Sequence, residues 1–273
     1  MESIETEAGA NVAESSAPSA APKAAAVHKA IAGGLAEVLE SLLVTILLAL
    51  FATTFVLQAF KIPSGSMEPT LLVGDHVLVN KFLFGGRGAW YEKLLPYRAV
   101  RRGDIIVFRF PYNDHVHYVK RVIGLPGEHL RIVNQVVYIN GKPLSEPYAV
   151  HSETYDPFGD TFPPLDQTLL EERLRPEWAA QIGKYLQGNS LIVPPDHYFV
   201  MGDNRDDSSD SRYWGFVDRD AIMGRPMLIY WSVRATPDDY TDRSLAGTLL
   251  GIEDTLAHLP SRTRWHRMLR EVH

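Results

Sequence analysis

Two serines lie in a short segment that is well suited to hold a hydroxyl group at a fixed angle. The segment Lys61–Leu71 reads KIPSGSMEPTL, with Ser64 and Ser66 on either side of Gly65. Its two prolines restrict the backbone, and its glycine can adopt torsion angles that other residues avoid. We therefore predict a rigid turn that can hold a serine hydroxyl in position as a nucleophile; local composition alone favours an ordinary linker turn.

A serine nucleophile needs a neighbouring base to remove its proton. The sequence contains neither the Gly-x-Ser-x-Gly elbow nor the Ser-x-x-Lys signature of other serine enzymes. Lys120 lies in a strand-like run, HVHYVKRVI, and alternation places it on one face with apolar neighbours: Val116, Tyr118 and Val122. Desolvation there lowers a lysine pKa from about 10.4 toward neutrality, so the free amine can accept a proton. Lys120 is the predicted base, with a surface lysine as the alternative.

A third segment, residues 201–215, is a dense run of turn formers, charges and hydroxyls that reads MGDNRDDSSDSRYWG. Its aspartates raise the possibility of calcium, but the EF-hand order of ligands with a closing glutamate is absent. We therefore predict no metal site and no cofactor. Arg205 and Arg212 can instead neutralise the aspartates and pin the loop, which leaves a serine hydroxyl to orient the neutral amine of Lys120.

A long apolar run precedes these segments. Residues 41–60 carry no charge, and about 20 residues at about 1.5 Å each cross about 30 Å of hydrocarbon. We therefore predict a transmembrane anchor at residues 38–60, after a disordered tail at residues 1–37; a buried core helix or a cleaved export signal is the alternative. A slight excess of lysine before the span favours a cytoplasmic N-terminus.

Short runs rich in Val, Ile, Phe and Tyr follow the anchor and are separated by Gly, Pro or Asp. They predict a mostly β, antiparallel catalytic domain at residues 61–233. Residues 151–190 interrupt it with charged sequence of helical spacing, which predicts an insertion. Residues 234–273 form a predicted amphipathic tail, broken at Pro260, that can lie on the membrane or pack on the domain.

The overall composition excludes several classes of protein. The 273 residues carry a net charge of -6, which argues against nucleic acid as a partner, because phosphate binding needs a basic surface. The sequence contains no cysteine, so disulfides, a thiol nucleophile and zinc-thiolate sites are all excluded. The stability of the fold must therefore come from packing.

Three segments together resemble the bacterial type I signal peptidases in order and spacing: SGSMEPTL, YVKRVIGLPGE and GDNRDDSSDSRYWG. The resemblance extends from the anchor to about Trp231, apart from the insertion. It implies a membrane-anchored serine endopeptidase of the bacterial inner membrane, with its catalytic domain on the periplasmic face. The implied partners are membrane lipid and the signal peptides of exported preproteins, which such enzymes cut after small residues at an Ala-x-Ala type site.

The resemblance also implies roles for individual residues. Ser66 is the implied nucleophile and Lys120 its base. Ser64 is implied to complete the oxyanion hole, and Ser208 to hydrogen-bond the lysine. The pockets for the small side chains of the substrate are implied to be lined by Ile62, Pro63, Met67, Tyr118 and Val119. The implied supporting loop comprises Gly202, Asp203, Asn204 and a buried ion pair of Asp210 with Arg212.

Two positions depart from the family pattern. Asp207 stands where asparagine is usual, and His117 stands where an acidic residue often precedes the tyrosine. Both departures leave the catalytic atoms in place and change only the charge beside Lys120. Two other readings remain: a self-cleaving Ser/Lys repressor or mitochondrial relative, of which the anchor disfavours the repressor, and a membrane-tethered β scaffold without chemistry, which predicts loss of Ser66 or Lys120.

Overall fold

The computed structural model describes residues 37–51, 53, 56–84, 97–151, 156, 158–164, 167–235 and 259–273. The chain divides into two units, Met1–Phe51 and Ala52–His273. In the first unit, residues 37–51 form helix α1, with its side chains exposed. Among the described residues, no helix has both the length and the apolar character needed to cross a membrane. The predicted disordered tail lies outside the described residues, apart from residue 37.

Strand β1, Leu57–Lys61, occupies the end of the predicted anchor. It pairs antiparallel with β2, Asp75–Asn80, along its whole length. The predicted boundary of the anchor at residue 60 is therefore wrong, and residues 57–60 belong to the second unit. An uncharged run does not reveal where a helix stops, whereas the backbone groups of β1 are satisfied by a strand that follows more than ten residues later.

Antiparallel strands form the main sheet of the second unit, which confirms the predicted mostly β architecture. Its further strands are β3 Ile105–Phe110, β4 Asn113–Gly124, β10 His197–Met201, β11 Val217–Asp218, β12 Ile222–Ser232 and β13 Arg270–Glu271. The strand order is β1-β2-β12-β3-β4-β10-β11, and β13 pairs with β12 off this path. Strand β1, which precedes the predicted nucleophile, and strand β4, which contains the predicted base, thus belong to one sheet.

A second antiparallel sheet follows β4 and has the order β7-β6-β5-β9-β8. Its strands are β5 His129–Val133, β6 Val136–Ile139, β7 Lys142–Pro143, β8 Leu186–Gln187 and β9 Ser190–Ile192. Between β7 and β8 lie two helices, α2 Gln167–Arg173 and α3 Pro176–Ile182, as the helical spacing of the insertion predicts. The insertion also supplies β8, so it extends the second sheet. Two single-turn helices, α4 Ser211–Trp214 and α5 Leu259–Arg262, lie further along the chain.

Alternation along β3 separates two buried cores. The side chains of Ile105 and Val107 belong to one apolar cluster with Met67. The alternate side chains of β3 belong to a second cluster with Trp214: Ile106, Phe108 and Phe110. Met67 is only 1% exposed and directly follows Ser66. Packing of Met67 in this core therefore fixes the position of the turn that carries the predicted nucleophile.

Residues 259–273 are part of the β domain. Strand β13 is hydrogen-bonded to β12, and Val272 is buried in the same cluster as Met67. Arg267 Nη2 lies 2.6 Å from Oδ2 of the fully buried Asp75. Of the two alternatives for the predicted tail, packing on the domain therefore holds for this stretch, because a buried ion pair and strand pairing fix it there. Residues 236–258 of the predicted tail lie outside the described residues.

Candidate active site

Ser66 and Lys120 meet in the folded chain although 54 positions separate them in the sequence. The Nζ atom of Lys120 lies 2.6 Å from the Oγ atom of Ser66. Both residues are buried, with 8% of Ser66 and 4% of Lys120 exposed. An amine and a hydroxyl at this distance can exchange a proton directly, without an intervening water molecule.

Burial lowers the pKa of Lys120 to about 8. The carboxylates of Asp210, Asp203 and Asp207 oppose this effect, because negative charge favours the protonated amine. With a pKa near 8, about one tenth of the lysine is neutral at pH 7. A lysine with its usual pKa would be neutral in less than about one part in a thousand at that pH. The burial of Lys120 therefore makes a usable base.

The turn that carries Ser66 is held by the loop after β10. Gly65–Met67 form a 3-10 turn, preceded by Ser64 in an extended conformation. The backbone N–H of Asn204 donates to the carbonyl of Ser66 at 3.2 Å, and its side-chain amide donates to the carbonyl of Gly65 at 3.3 Å. Asn204 thus fixes two consecutive carbonyl groups beside the nucleophile.

Asp203 ties the turn to the strand that carries the lysine. Arg121 donates from Nε and Nη2 to the two carboxylate oxygens of Asp203, at 2.8 and 2.7 Å. The hydroxyl of Thr70 donates to the same carboxylate at 2.5 Å. Sequence reasoning missed Arg121 and Thr70, although a buried arginine beside Lys120 needs an acidic partner. Their partner lies 82 positions from Arg121, so spacing alone gave no signal.

Asp210 and Arg212 form a buried ion pair, with Nε and Nη2 of the arginine each 2.9 Å from a carboxylate oxygen. Burial by itself raises the pKa of Asp210, but the charge and hydrogen bonds of Arg212, together with the Gly202 N–H and the charge of Lys120, outweigh it, and the pKa is lowered overall. The same carboxylate accepts a hydrogen bond from the backbone N–H of Gly202 at 3.1 Å. The pair therefore holds the end of β10 against the loop.

Two predicted interactions of this loop are wrong. Ser208 is buried, yet within the described residues its Oγ atom has no hydrogen-bond partner, so it does not bond to Lys120. The amine of Lys120 instead contacts Ser66. Arg205 pairs with Glu146 and not with an aspartate of its own loop, because its guanidinium reaches across to the segment after β7.

A cleft of about 360 Å³ opens beside Ser66 and Lys120. One wall comes from the end of β1 and the turn after it, and the other from residues 116–120 in the middle of β4. The rings of Phe60 and His117 meet across the cleft with their centroids 5.7 Å apart. The predicted substrate-contacting residues all line it, together with Ser64: Ile62, Pro63, Met67, Tyr118 and Val119. Asp207 and Ser209 line it as well.

Comparisons with known proteins agree on one family. A family model described as "Signal peptidase, peptidase S26" matches residues 35–231. A signal peptidase I of Pseudomonas aeruginosa is 35% identical over 203 residues, which cover 67% of this chain and 68% of that protein. A signal peptidase I of Aquifex aeolicus is 33% identical over 223 residues, which cover 70% of this chain and 83% of that protein.

A solved structure is also similar in sequence: a signal peptidase I from Enterococcus faecalis V583 is 36% identical and covers 47% of this chain and 97% of that one, with a TM-score of 0.34. The matches define the chain as a peptide-bond hydrolase. It belongs to the signal peptidase family, peptidase S26, as a bacterial type I signal peptidase. This family acts on the signal peptides of preproteins and is associated with bacterial membranes.

Proposed function

We propose that this chain is a membrane-bound serine endopeptidase in which Ser66 is the nucleophile and Lys120 the general base. The 2.6 Å contact between the buried amine and the hydroxyl carries the proposal. As Ser66 Oγ attacks the scissile carbonyl, its proton passes to the neutral amine of Lys120. The resulting ammonium then protonates the leaving amine, and a water molecule hydrolyses the acyl-enzyme by the reverse path.

The developing oxyanion is proposed to accept hydrogen bonds from the backbone N–H of Ser66 and the hydroxyl of Ser64. Ser64 lines the same cleft as Ser66 and is exposed. Its side chain makes no hydrogen bond to the turn that it precedes. The turn therefore does not consume the hydroxyl that this role requires.

The substrate is proposed to bind as an extended strand between the two walls of the cleft. Strand β4 pairs with β3 along one edge, whereas its pairing with β10 involves only Arg121 and later residues. The opposite wall continues β1 past its pairing with β2, which ends at Lys61. An extended peptide can form backbone hydrogen bonds with the edge of β4 on one side and with the chain that follows β1 on the other.

The walls of the cleft favour small substrate side chains. Ile62, Tyr118 and Val119 narrow it beside the dyad, and Met67 is packed in the core and cannot move aside. We therefore propose cleavage after an Ala-x-Ala type site in exported preproteins. A large side chain at the position before the cut would have to displace packed residues, which costs free energy.

Attachment to the bacterial inner membrane is proposed from the N-terminal sequence. Residues 41–60 carry no charge, and the described part of α1 exposes Leu, Val, Ile and Phe side chains along its length. Lipid is the medium that covers such a surface at lowest cost. With the N-terminus in the cytoplasm, the catalytic unit is proposed to lie on the periplasmic face, where signal peptides are cut.

The test of the proposed function is cleavage of a preprotein by the full chain in detergent. A preprotein with an Ala-x-Ala site is expected to be cut after the second alanine, as mass spectrometry of the products shows. The matched control carries phenylalanine in place of that alanine and is expected to be cut about 10²-fold more slowly or not at all. Equal cleavage of both substrates contradicts the proposed specificity, and no cleavage by the folded protein favours an inactive scaffold.

The pH dependence of kcat/KM is expected to report the lysine. Because burial lowers the pKa of Lys120 to about 8 and only the neutral amine is active, kcat/KM should rise about tenfold per pH unit below pH 8 and level off above it. Asp207 raises this pKa and lines the cleft. Asp207→Asn is therefore expected to shift the rising limb to lower pH and to increase kcat/KM at pH 7.

The matched control for this measurement is Asp220→Asn, which removes the same charge from an exposed residue outside the cleft. Its pH profile should coincide with that of the unsubstituted chain. A profile of Asp207→Asn that does not move, or that moves to higher pH, would show that this carboxylate does not act on the catalytic base.

A further inference from the structure

A second group of side chains, outside the catalytic dyad, has the composition of a metal site. His151, Asp160 and Asp206 each bring one potential ligand atom, and these atoms all lie within 4.8 Å of one another. Among the described residues, no other group of three or more such side chains meets this distance. His151 directly follows Val150, which forms a parallel bridge with Asn204, so the group lies beside the loop that supports the nucleophile.

Two atoms of this group are buried without a hydrogen-bond partner. Asp160 is only 1% exposed, and its Oδ1 atom has no partner within the described residues. Its Oδ2 atom, in contrast, accepts a hydrogen bond from the backbone N–H of Asp156 at 3.0 Å. The Nδ1 atom of His151 is also buried and unpartnered among the described residues. Such atoms cost folding free energy, and a cation bound between them removes that cost.

The charges around the group leave it suited to a cation. Arg205 and Arg212 act on the ring of His151, but they are paired with Glu146 and Asp210. Each arginine therefore already has a carboxylate partner outside the group, and Asp206 also acts electrostatically on Arg212. The group nevertheless brings one imidazole and two carboxylates together, and these can provide ligand atoms to a cation.

We propose that His151, Asp160 and Asp206 bind a divalent transition-metal ion, with Zn²⁺ as the preferred ion. One imidazole and two carboxylates suit Zn²⁺ better than Mg²⁺ or Ca²⁺, which take oxygen ligands. Zinc bonds of about 2.0–2.2 Å place two ligands of one ion at most about 4.4 Å apart, so the more distant atoms must draw together on binding. The exposed side chain of Asp206 can make this movement.

The ion joins two parts of the chain that are distant in sequence. Asp160 belongs to the insertion, and its backbone carbonyl accepts from the N–H of Gln135 in the β5–β6 turn. Asp206 belongs to the loop that also carries Ser208 and Asp210. Metal binding therefore restrains this loop, and the ion itself takes no part in the cleavage. Its role is structural, and its three ligands are too far apart in the sequence to form a recognisable motif.

The proposal is tested by calorimetric titration of ZnCl₂ into the untagged, chelator-treated full chain in detergent. We expect one saturable site per chain and a higher unfolding temperature in the presence of Zn²⁺. His151→Gln and Asp206→Asn are each expected to weaken this binding at least tenfold and to abolish the thermal shift. Asp206 is exposed, so this variant should fold even if substitution of buried Asp160 does not.

Asp220→Asn is the matched control, because it removes one exposed carboxylate outside the group. It should bind Zn²⁺ as the unsubstituted chain does. The proposal is overturned if the unsubstituted chain shows no saturable binding of Zn²⁺, or if both His151→Gln and Asp206→Asn bind it with unchanged affinity.

Discussion

Ser66→Ala and Lys120→Met are each expected to lower kcat/KM by at least about 10⁴-fold, because each removes one partner of the 2.6 Å contact that forms the proposed dyad. The double variant should lose no more than either single variant, since a nucleophile and its base act as a unit. The rates are measured on the Ala-x-Ala preprotein. If the fold decrease in kcat/KM of the double variant equals the product of the two single decreases, the two residues act independently.

The stability of Lys120→Met shows whether its loss of activity comes from unfolding. Burial lowers the pKa of Lys120 to about 8, so at pH 7 the fold contains a mostly charged, buried amine, which costs folding free energy. Lys120→Met removes this cost, and its unfolding temperature at pH 7 should equal or exceed that of the unsubstituted chain.

Lys142→Met and Ser145→Ala change exposed residues of the same types and should leave kcat/KM unchanged. Full activity of Ser66→Ala or Lys120→Met would refute the dyad.

The two residues of the proposed dyad could be predicted because three segments together resemble the signal peptidases, whereas each local signal alone left an ordinary turn or a surface lysine as the alternative. Ser66 lies in a turn with proline and glycine, and Lys120 shares one face of its strand with the apolar residues Tyr118 and Val122. The distance between them could not be predicted in this way, because it depends on the pairing of β4 with β3 and on the loop after β10. Asp203 connects these elements through Arg121 and Thr70, and such contacts over long sequence separations leave no periodic pattern.

Strand β12 shows why part of the fold could not be predicted. It lies between β2 and β3 in the middle of the sheet, yet it contains Gly224 and Pro226, which are both unfavourable inside a central strand. Irregularities in its pairing fall at these positions, next to Pro226 toward β2 and next to Gly224 toward β3. At Gly224 an added Cβ would lie 2.3 Å from the carbonyl oxygen of Asn80. Close approach of the chains thus explains the glycine, and only the folded structure reveals it.

The roles of Ser208 and Gly202 in the site are connected. Gly202 lies at the end of β10, and a Cβ added there would lie 2.4 Å from the carbonyl oxygen of Ser66 and 2.3 Å from Oγ of Ser208. The glycine therefore allows the loop to pack directly against the backbone of Ser66, the proposed nucleophile. Rotation of the Ser208 side chain can move Oγ away from an added methyl group but not Cβ, which would lie 2.6 Å from it. The carbonyl of Ser66 is held by Asn204 and cannot move alone.

Gly202→Ala is accordingly expected to displace the nucleophile. Overpacking at a buried site costs about 1–3 kcal/mol of stability, and a shift of about 1 Å at a reacting group costs about 10²-fold in rate. We expect kcat on the preprotein to fall about 10²-fold. We expect the free energy of unfolding to fall by about 1–3 kcal/mol. The measurements are single-turnover cleavage and thermal unfolding.

Gly183→Ala is the matched control, because no atom lies within 4 Å of its added Cβ and its φ of -56° suits alanine. It should leave kcat unchanged and stabilise the fold by about 0.4–1 kcal/mol. The double variant Gly202→Ala/Ser208→Gly separates the two close contacts, since it removes the serine side chain and leaves the carbonyl of Ser66 in place. If the carbonyl is the decisive contact, this double variant remains as slow as Gly202→Ala; recovery of the rate would assign the damage to Ser208.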